Sequence, residues 1–207
     1  MKVIFRDLNP AVVAAVKAVF PDWDNSVADI FSVGSADIII SPANVIGRMD
    51  GGIDQIYINR FGWQLEARLM RDIRNVYGSH LDIGKAHLIT TYDERFPLMI
   101  SAPTMEWPPG DVSRTENAYL AFRAALICAA SEGAKALGRD VQTLLVPGMC
   151  TLTGRMEPDV FARQLRNAWM EITQGMFEAD GRIMNRADYP GLFGSLTQEH
   201  VAARRPK

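Results

Sequence analysis

SPANVIGRMDGGID, Ser41–Asp54, lies between two stretches of clear character. Before it runs ADIII, Ala36–Ile40, an apolar run of the kind that makes a buried strand. After it runs QIYINRFGWQLEARLMRDIRNVY, Gln55–Tyr77, where Ile58, Phe61, Leu65, Leu69, Ile73 and Val76 recur at steps of three and four, predicting one long core-facing helix. A strand-to-helix connection needs only a few residues. This one carries an asparagine, three glycines and two aspartates, a composition suited to holding a ligand. Gly51 and Gly52 stand at the helix start, where unpaired N–H groups and the positive end of the helix dipole favour an anion. The same residues also have plainer uses. Asp50 and Asp54 favour a helix N-terminus electrostatically, and Asn44 can tie its own loop through a side-chain-to-backbone bond.

A second loop has similar character. TLLVPGM, Thr143–Met149, reads as a buried strand, and Pro147–Pro158, PGMCTLTGRMEP, follows it into the helix EPDVFARQLRNAWMEI. Gly148 and Gly154 let a backbone approach closely, Thr151 and Thr153 add hydroxyls, and Arg155 could contact a phosphate, although an arginine at a loop tip is usually just solvated. Neither loop has the lysine of GxxxxGK[ST] and neither spells GxGxxG, which argues against ordinary NTP hydrolysis and dinucleotide redox chemistry. Cys150 in this loop has no histidine beside it in sequence and reads as a small buried thiol.

The remaining elements alternate. KVIFRD, Lys2–Asp7, reads as a strand; Asn9 caps and Pro10 opens the helix AVVAAVKAVF, which Pro21 ends. Val27–Gly34 reads as the second strand and Ala36–Ser41 as the third. Lys85–Thr91 and Pro97–Met105 are strands, WPPGDVSR is a loop, and Thr115 caps a helix running on to Leu137. Strands alternating with amphipathic helices predict an α/β protein, with helices on both faces of a parallel or mixed sheet. In such sheets ligands bind beyond the carboxyl ends of the strands.

The chain has 207 residues, 48% hydrophobic and 22% charged, with a net charge of −2. No basic excess is present to neutralise phosphates, so neither a nucleic-acid partner nor an acidic membrane is expected. No apolar run approaches the roughly 18–20 residues of a membrane span. MKVIFRDLNP lacks the apolar core of a signal peptide, and the cytoplasm is the expected location. Cys128 and Cys150 make no disulfide framework. His80, His87 and His200 share no metal-ligand spacing, so no metal is expected.

The order of residues in the two loops resembles the macro domain family, the ADP-ribose-binding three-layer α/β/α sandwich with a central mixed sheet. Members read strand, N-A-A-N, a glycine run, V-D and a helix; here SPAN, VIGRMD and GGID fill that frame, with Asn44 as the second Asn and Asp54 as the Asp. Gly84–Ala86 resembles the family's G-x-A, and VPGMCTLTG its closing loop. The likeness spans roughly Lys2 to Thr173 in element order, giving a macro-like domain over residues 1–175 and a C-terminal extension over 176–207. Four departures stand out: Ser41 at the first Asn, Met49 and Asp50 inside the glycine run, and Leu152 in place of a glycine.

The resemblance implies a ligand, ADP-ribose or an ADP-ribosylated protein, and no cofactor. Ala43, Asn44, Gly51, Gly52 and Ile53 would meet it from the first loop, and Gly148, Thr151, Leu152, Thr153, Gly154 and Arg155 from the second. Asp54 and Asn44 would be catalytic in a metal-independent hydrolase of ADP-ribosyl esters or ADP-ribose phosphate derivatives. The alternative is a non-catalytic reader or an interaction domain with an altered ligand. The family also places an Asp after the second strand to bind adenine, where this reading leaves Ser35 or Ala36. A C-terminal aromatic is expected on the base, with Phe177 and Tyr189 as candidates.

Overall fold

The structure is a computed structural model and describes residues 1–179 and 182–185. Six strands, β1 (Lys2–Asp7), β2 (Asp24–Val27), β3 (Ile38–Ser41), β4 (His87–Thr90), β5 (Leu98–Ser101) and β6 (Thr143–Pro147), form one sheet in the order β2-β1-β6-β3-β5-β4. Every neighbouring pair is parallel except β4 with β5, so the sheet is mixed. Side chains alternate across a strand, and the core therefore divides in two. Val3, Phe5, Ile38, Ile40, Leu144 and Val146 pack on one face, while Ile4, Ile39, Met99 and Leu145 pack on the other.

Helices cover both faces. α1 (Pro10–Val19) contributes Val12 and Val16 to the first core. α4 (Asn117–Cys128) contributes Phe122 and Leu126, and α6 (Pro158–Gln174) contributes Phe161 and Leu165. α2 (Gly52–Phe61) and α3 (Gln64–Tyr77) cover the second core with Tyr57, Leu65, Leu69 and Ile73. Each such fully buried aliphatic contributes about 1.5–3 kcal/mol. The result is the expected three-layer α/β/α sandwich. Asn9 caps α1 by accepting from the Ala11 N–H at 2.9 Å, with Pro10 in the first turn.

Three elements differ from the sequence reading. The second strand is Asp24–Val27, not Val27–Gly34. DNSV is an edge strand with no buried residue, so it lacks the apolar signature of a core strand. Ile30–Ser32 instead forms a 3₁₀ turn capped by Asp29, whose carboxylate accepts from the Phe31 N–H at 2.8 Å. The long helix is two helices, broken at Gly62 with φ 86°, a left-handed conformation that only glycine adopts freely. Its core stripe is therefore shorter: Leu65, Leu69 and Ile73 are buried, and Val76 is exposed. The fourth helix passes through a π turn, Ala129–Gly133, into the short α5 (Ala134–Leu137). A side chain at Gly133 would come within 2.6 Å of Ile38 Cδ1, so the absence of a Cβ lets this turn lie against β3.

β7 (Met176–Ala179) and β8 (Arg182–Asn185) pair antiparallel after α6. The Phe177 side chain, Tyr189 and His200 lie outside the described residues.

Candidate functional site

Because β2, β1, β6, β3 and β5 are parallel, the loops that follow them emerge on one edge of the sheet. β3 and β6 are neighbours, so the loops singled out by sequence, after Ser41 and after Pro147, are adjacent.

The first loop is braced from within. Asn44 donates from Nδ2 to the Arg48 carbonyl at 2.7 Å, and its Oδ1 accepts from the Arg48 and Ile46 N–H groups at 3.1 and 3.3 Å. Its amide is therefore engaged by its own loop. Gly47, at φ 75°, lets the loop press onto α3, since a Cβ there would sit 2.7 Å from Ile73 Cδ1. Met49 is buried in the second core and its N–H donates to Glu66 Oε2 at 2.6 Å. Asp50 is exposed and paired with Arg48 at 2.7 Å. The two residues that interrupt the glycine run thus have separate tasks: Met49 anchors the loop, and Arg48 offsets the charge of Asp50.

At the start of α2 no side chain caps the helix. A Cβ at Gly51 or Gly52 would meet nothing within 4 Å, so open space faces this end. The amides of Gly51, Gly52 and Ile53 donate to no acceptor among the described residues. Asp54, in the first turn, is 6% exposed, and Ser41, fully buried, donates from Oγ to its Oδ1 at 2.6 Å. Burial raises the Asp54 carboxyl to about 7; the Ser41 bond opposes this, and the charges of Glu66 and Asp50 add to it. Ser41, the departure from the family's first Asn, therefore orients Asp54. Tyr57 lies one turn on, fully buried, and its hydroxyl donates to the Ile40 carbonyl at 2.9 Å. Ala43 is buried beneath the loop, its carbonyl accepting from the Thr104 N–H at 2.9 Å.

The second loop divides into anchors and free amides. The Gly148 N–H donates to the Asp7 carboxylate, which also accepts from the Asn9 N–H at 2.7 Å. Burial nevertheless pushes the Asp7 carboxyl above its usual value. A Cβ on Gly148 would overlap Asp7 Oδ2. Gly148→Ala is accordingly expected to destabilise the fold by about 2 kcal/mol, lowering Tm by about 4–8 °C. An unchanged melting curve would show that Asp7 moves aside freely.

Gly154 is equally confined, since its Cβ would come within 2.5 Å of both the Cys150 carbonyl and Val112. Between these anchors, the N–H groups of Thr151, Leu152 and Thr153 have no acceptor among the described residues, and the Leu152 side chain is 83% exposed. Arg155 is exposed, 3.9 Å from Asp111. Burial pushes the Cys150 thiol up to about 12, so it is not a nucleophile at neutral pH.

One candidate site residue was missed in the sequence. With β2 ending at Val27, the aspartate that follows the second strand is Asp29, not a residue near Ser35 or Ala36. Asp29 is exposed on the carboxyl edge, with one oxygen used to cap its 3₁₀ turn. The available signal was A-D-I-F: an Asp two residues before the N–H it caps marks a turn, not the middle of a strand. Asp37 has a structural task instead. It accepts from Arg139 at 2.6 and 3.1 Å and from the Gln142 and Thr143 N–H groups, and the Arg139 hydrogen bond, with the two amides, holds its carboxyl at about 2.

Solved structures with this arrangement are macrodomains. The macrodomain of Mycobacterium tuberculosis DarG superposes with a TM-score of 0.56 at 14% identity, covering 71% of this chain and 89% of that one. The Thermus aquaticus DarG macrodomain gives 0.56 at 11% identity, covering 80% and 90%. An Oceanobacillus iheyensis macrodomain mutant with ADPR gives 0.56 at 15% identity, covering 70% and 74%. No family model matches the sequence. The class is nonetheless defined by the architecture: the chain has the macrodomain fold. By sequence it belongs to the same family as an uncharacterized protein of Aquifex aeolicus (strain VF5), 35% identical over 130 residues, which are 63% of this chain and 70% of that protein.

Proposed function

We propose that the carboxyl-edge crevice binds ADP-ribose, free or attached to a protein, and hydrolyses the ADP-ribosyl ester. The observation that carries this is Asp54, buried and held by Ser41, beside the uncapped start of α2 and the free amides of the neighbouring second loop. In this reading the diphosphate lies between the amides of Gly51–Ile53 and those of Thr151–Thr153, where N–H groups and a helix N-terminus favour an anion. The distal ribose lies over Asp54. Asn44 holds the shape of the loop, and Asp29 accepts a hydrogen bond from the adenine amino group with its second oxygen.

Hydrolysis adds water across the ester. The water oxygen bonds to the anomeric carbon of the distal ribose, the C–O bond to the acceptor breaks with its electron pair leaving on the acceptor carboxylate, and one water proton passes to the Asp54 carboxylate. A base with a pKa near 7 combines adequate basicity with a substantial ionised fraction at neutral pH. The step calls on no metal. The two free, buried thiols agree with action in a reducing cytoplasm.

Calorimetric titration with ADP-ribose tests binding, and release of ADP-ribose from a modified protein tests turnover. Binding without turnover would make the protein a reader. No binding at millimolar ADP-ribose would overturn the reading altogether. Asn44→Ala is expected to weaken ADP-ribose binding about tenfold by loosening the Ile46–Arg48 turn, because each lost buried hydrogen bond contributes about 1 kcal/mol. Unchanged affinity in the same titration would deny Asn44 its bracing role.

A further inference from the structure

A concavity of about 470 Å³ adjoins the first loop on the same edge of the sheet. Its walls continue the site already described. Beyond β3, Asn44 pairs with Met105 in an isolated parallel bridge, and the Val45 N–H donates to the Met105 carbonyl at 3.2 Å. The Leu81 N–H in turn donates to the Val45 carbonyl at 2.8 Å, fastening the α3–β4 connection to the same segment. Ile46, Ile83 and Trp107 supply apolar lining, and His80, Asp82 and Glu106 supply polar lining. Trp107 is 63% exposed, a large aromatic surface left open to solvent. Glu106 has no ion-pair partner among the described residues, while Asp82 is shared with Lys85 at 2.6 Å and His80 at 3.0 Å.

The position of this pocket follows from the strand order. Along the carboxyl edge stand Asp29 after β2, Asp7 at the end of β1, the free amides after β6, the Asp54 loop after β3, Trp107 after β5, and the connection entering antiparallel β4. A ligand with adenine at Asp29 and its diphosphate between the β6 and β3 loops points its terminal ribose at the β5–β4 end. We infer that this pocket is an acceptor subsite, which takes the polypeptide segment carrying the ADP-ribosyl group, with an apolar side chain on Trp107 and a Lys or Arg beside Glu106. The inference rests on the ADP-ribose reading above. Charge selects the occupant: Lys85 already offsets Asp82, and the unpaired Glu106 carboxylate repels a phosphate backbone and attracts a cationic side chain. An open tryptophan offers a face both to apolar groups and to a cation.

The test compares affinities for free ADP-ribose with those for peptides bearing ADP-ribose at its terminal ribose through a hydrolysis-resistant linkage. One peptide carries Lys and an apolar residue beside the modification, and a second carries Glu in place of Lys. An oligonucleotide conjugate is the third ligand. The Lys peptide conjugate is expected to bind about tenfold more tightly than free ADP-ribose, the gain a well-placed aromatic anchor supplies. Trp107→Ala and Glu106→Lys are each expected to remove that gain and leave free ADP-ribose affinity unchanged, which also reports that the variants fold. Equal affinity for conjugate and free ADP-ribose, or tighter binding of the Glu peptide or the oligonucleotide, would overturn the inference. Absence of binding to free ADP-ribose would instead strike the underlying reading, and the subsite with it.

Discussion

Asp54→Asn is expected to slow hydrolysis of an ADP-ribosyl ester by a factor of about 10²–10⁴, the usual contribution of a positioned general base. ADP-ribose affinity should stay within about threefold, since the amide keeps the size of the carboxyl and Oδ1 still accepts from Ser41 Oγ. The wild type should gain activity as pH rises through about 7, where Asp54 loses its proton. Release of ADP-ribose measured between pH 5.5 and 8.5 checks this, and a flat profile would remove Asp54 as the base.

The same carboxyl makes a stability prediction. Its pKa rises from 3.8 in the open chain to about 7 in the fold, so between those values the folded state binds more protons than the unfolded. Asp54 therefore costs no stability below pH 4, and an increasing amount as pH climbs to 7. The full effect is ~4 kcal/mol. Asp37, held at about 2, works in the opposite sense, but its contribution changes only below the ordinary carboxyl value. Asp54→Asn should match the wild type in urea unfolding near pH 4 and exceed it by about 2–4 kcal/mol at pH 8. An equal difference at both pH values would mean that Asp54 is not buried as described.

Gly52→Glu is expected to reduce ADP-ribose affinity at least about 100-fold, equivalent to ~2.7 kcal/mol. Gly52 has φ 55°, and a Cβ there meets no atom within 4 Å, so the new side chain would project into the open space before α2. Its carboxylate would then occupy the amides proposed for the diphosphate and repel it. The left-handed backbone costs about 1–2 kcal/mol, and a carboxylate at a helix N-terminus returns about 0.3–1 kcal/mol. Tm should therefore fall by only a few degrees. Lost binding with a nearly intact melt puts the ligand on α2; retained binding would move it elsewhere. Gly148→Ala provides the contrast, a glycine whose replacement should disturb the fold through Asp7.

Much of this was legible in the sequence because the informative interactions are local. Ile38–Ile40, Leu98–Ile100 and Leu144–Val146 are apolar at every position, the mark of strands covered on both faces. Asn9 and Pro10 mark a helix start within two residues. The position of Asp54 in the first turn after a glycine pair was also readable, and with it the likeness to an ADP-ribose-binding family. Glycine types alone did not reveal their tasks. Gly51 and Gly52 face open space, whereas Gly148 is confined by Asp7 and Gly154 by Val112, residues distant in sequence, with Cys150 of the same loop also against Gly154.

By itself, then, the sequence determined the alternation of strands and amphipathic helices, the two-sided burial of the central strands, and the carboxyl-edge loops as the candidate site. Those are properties of periodicity and of residues next to one another. Tertiary structure alone decided that β2 is the polar DNSV segment, which is a strand only because β1 offers it an edge. It thereby decided that Asp29 follows the second strand. It decided that Asn44 braces its loop and that Ser41, thirteen residues away, holds Asp54. It also raised the Asp54 carboxyl to about 7. A pKa of that kind depends on which atoms exclude water around a group, and packing from several elements supplies those atoms.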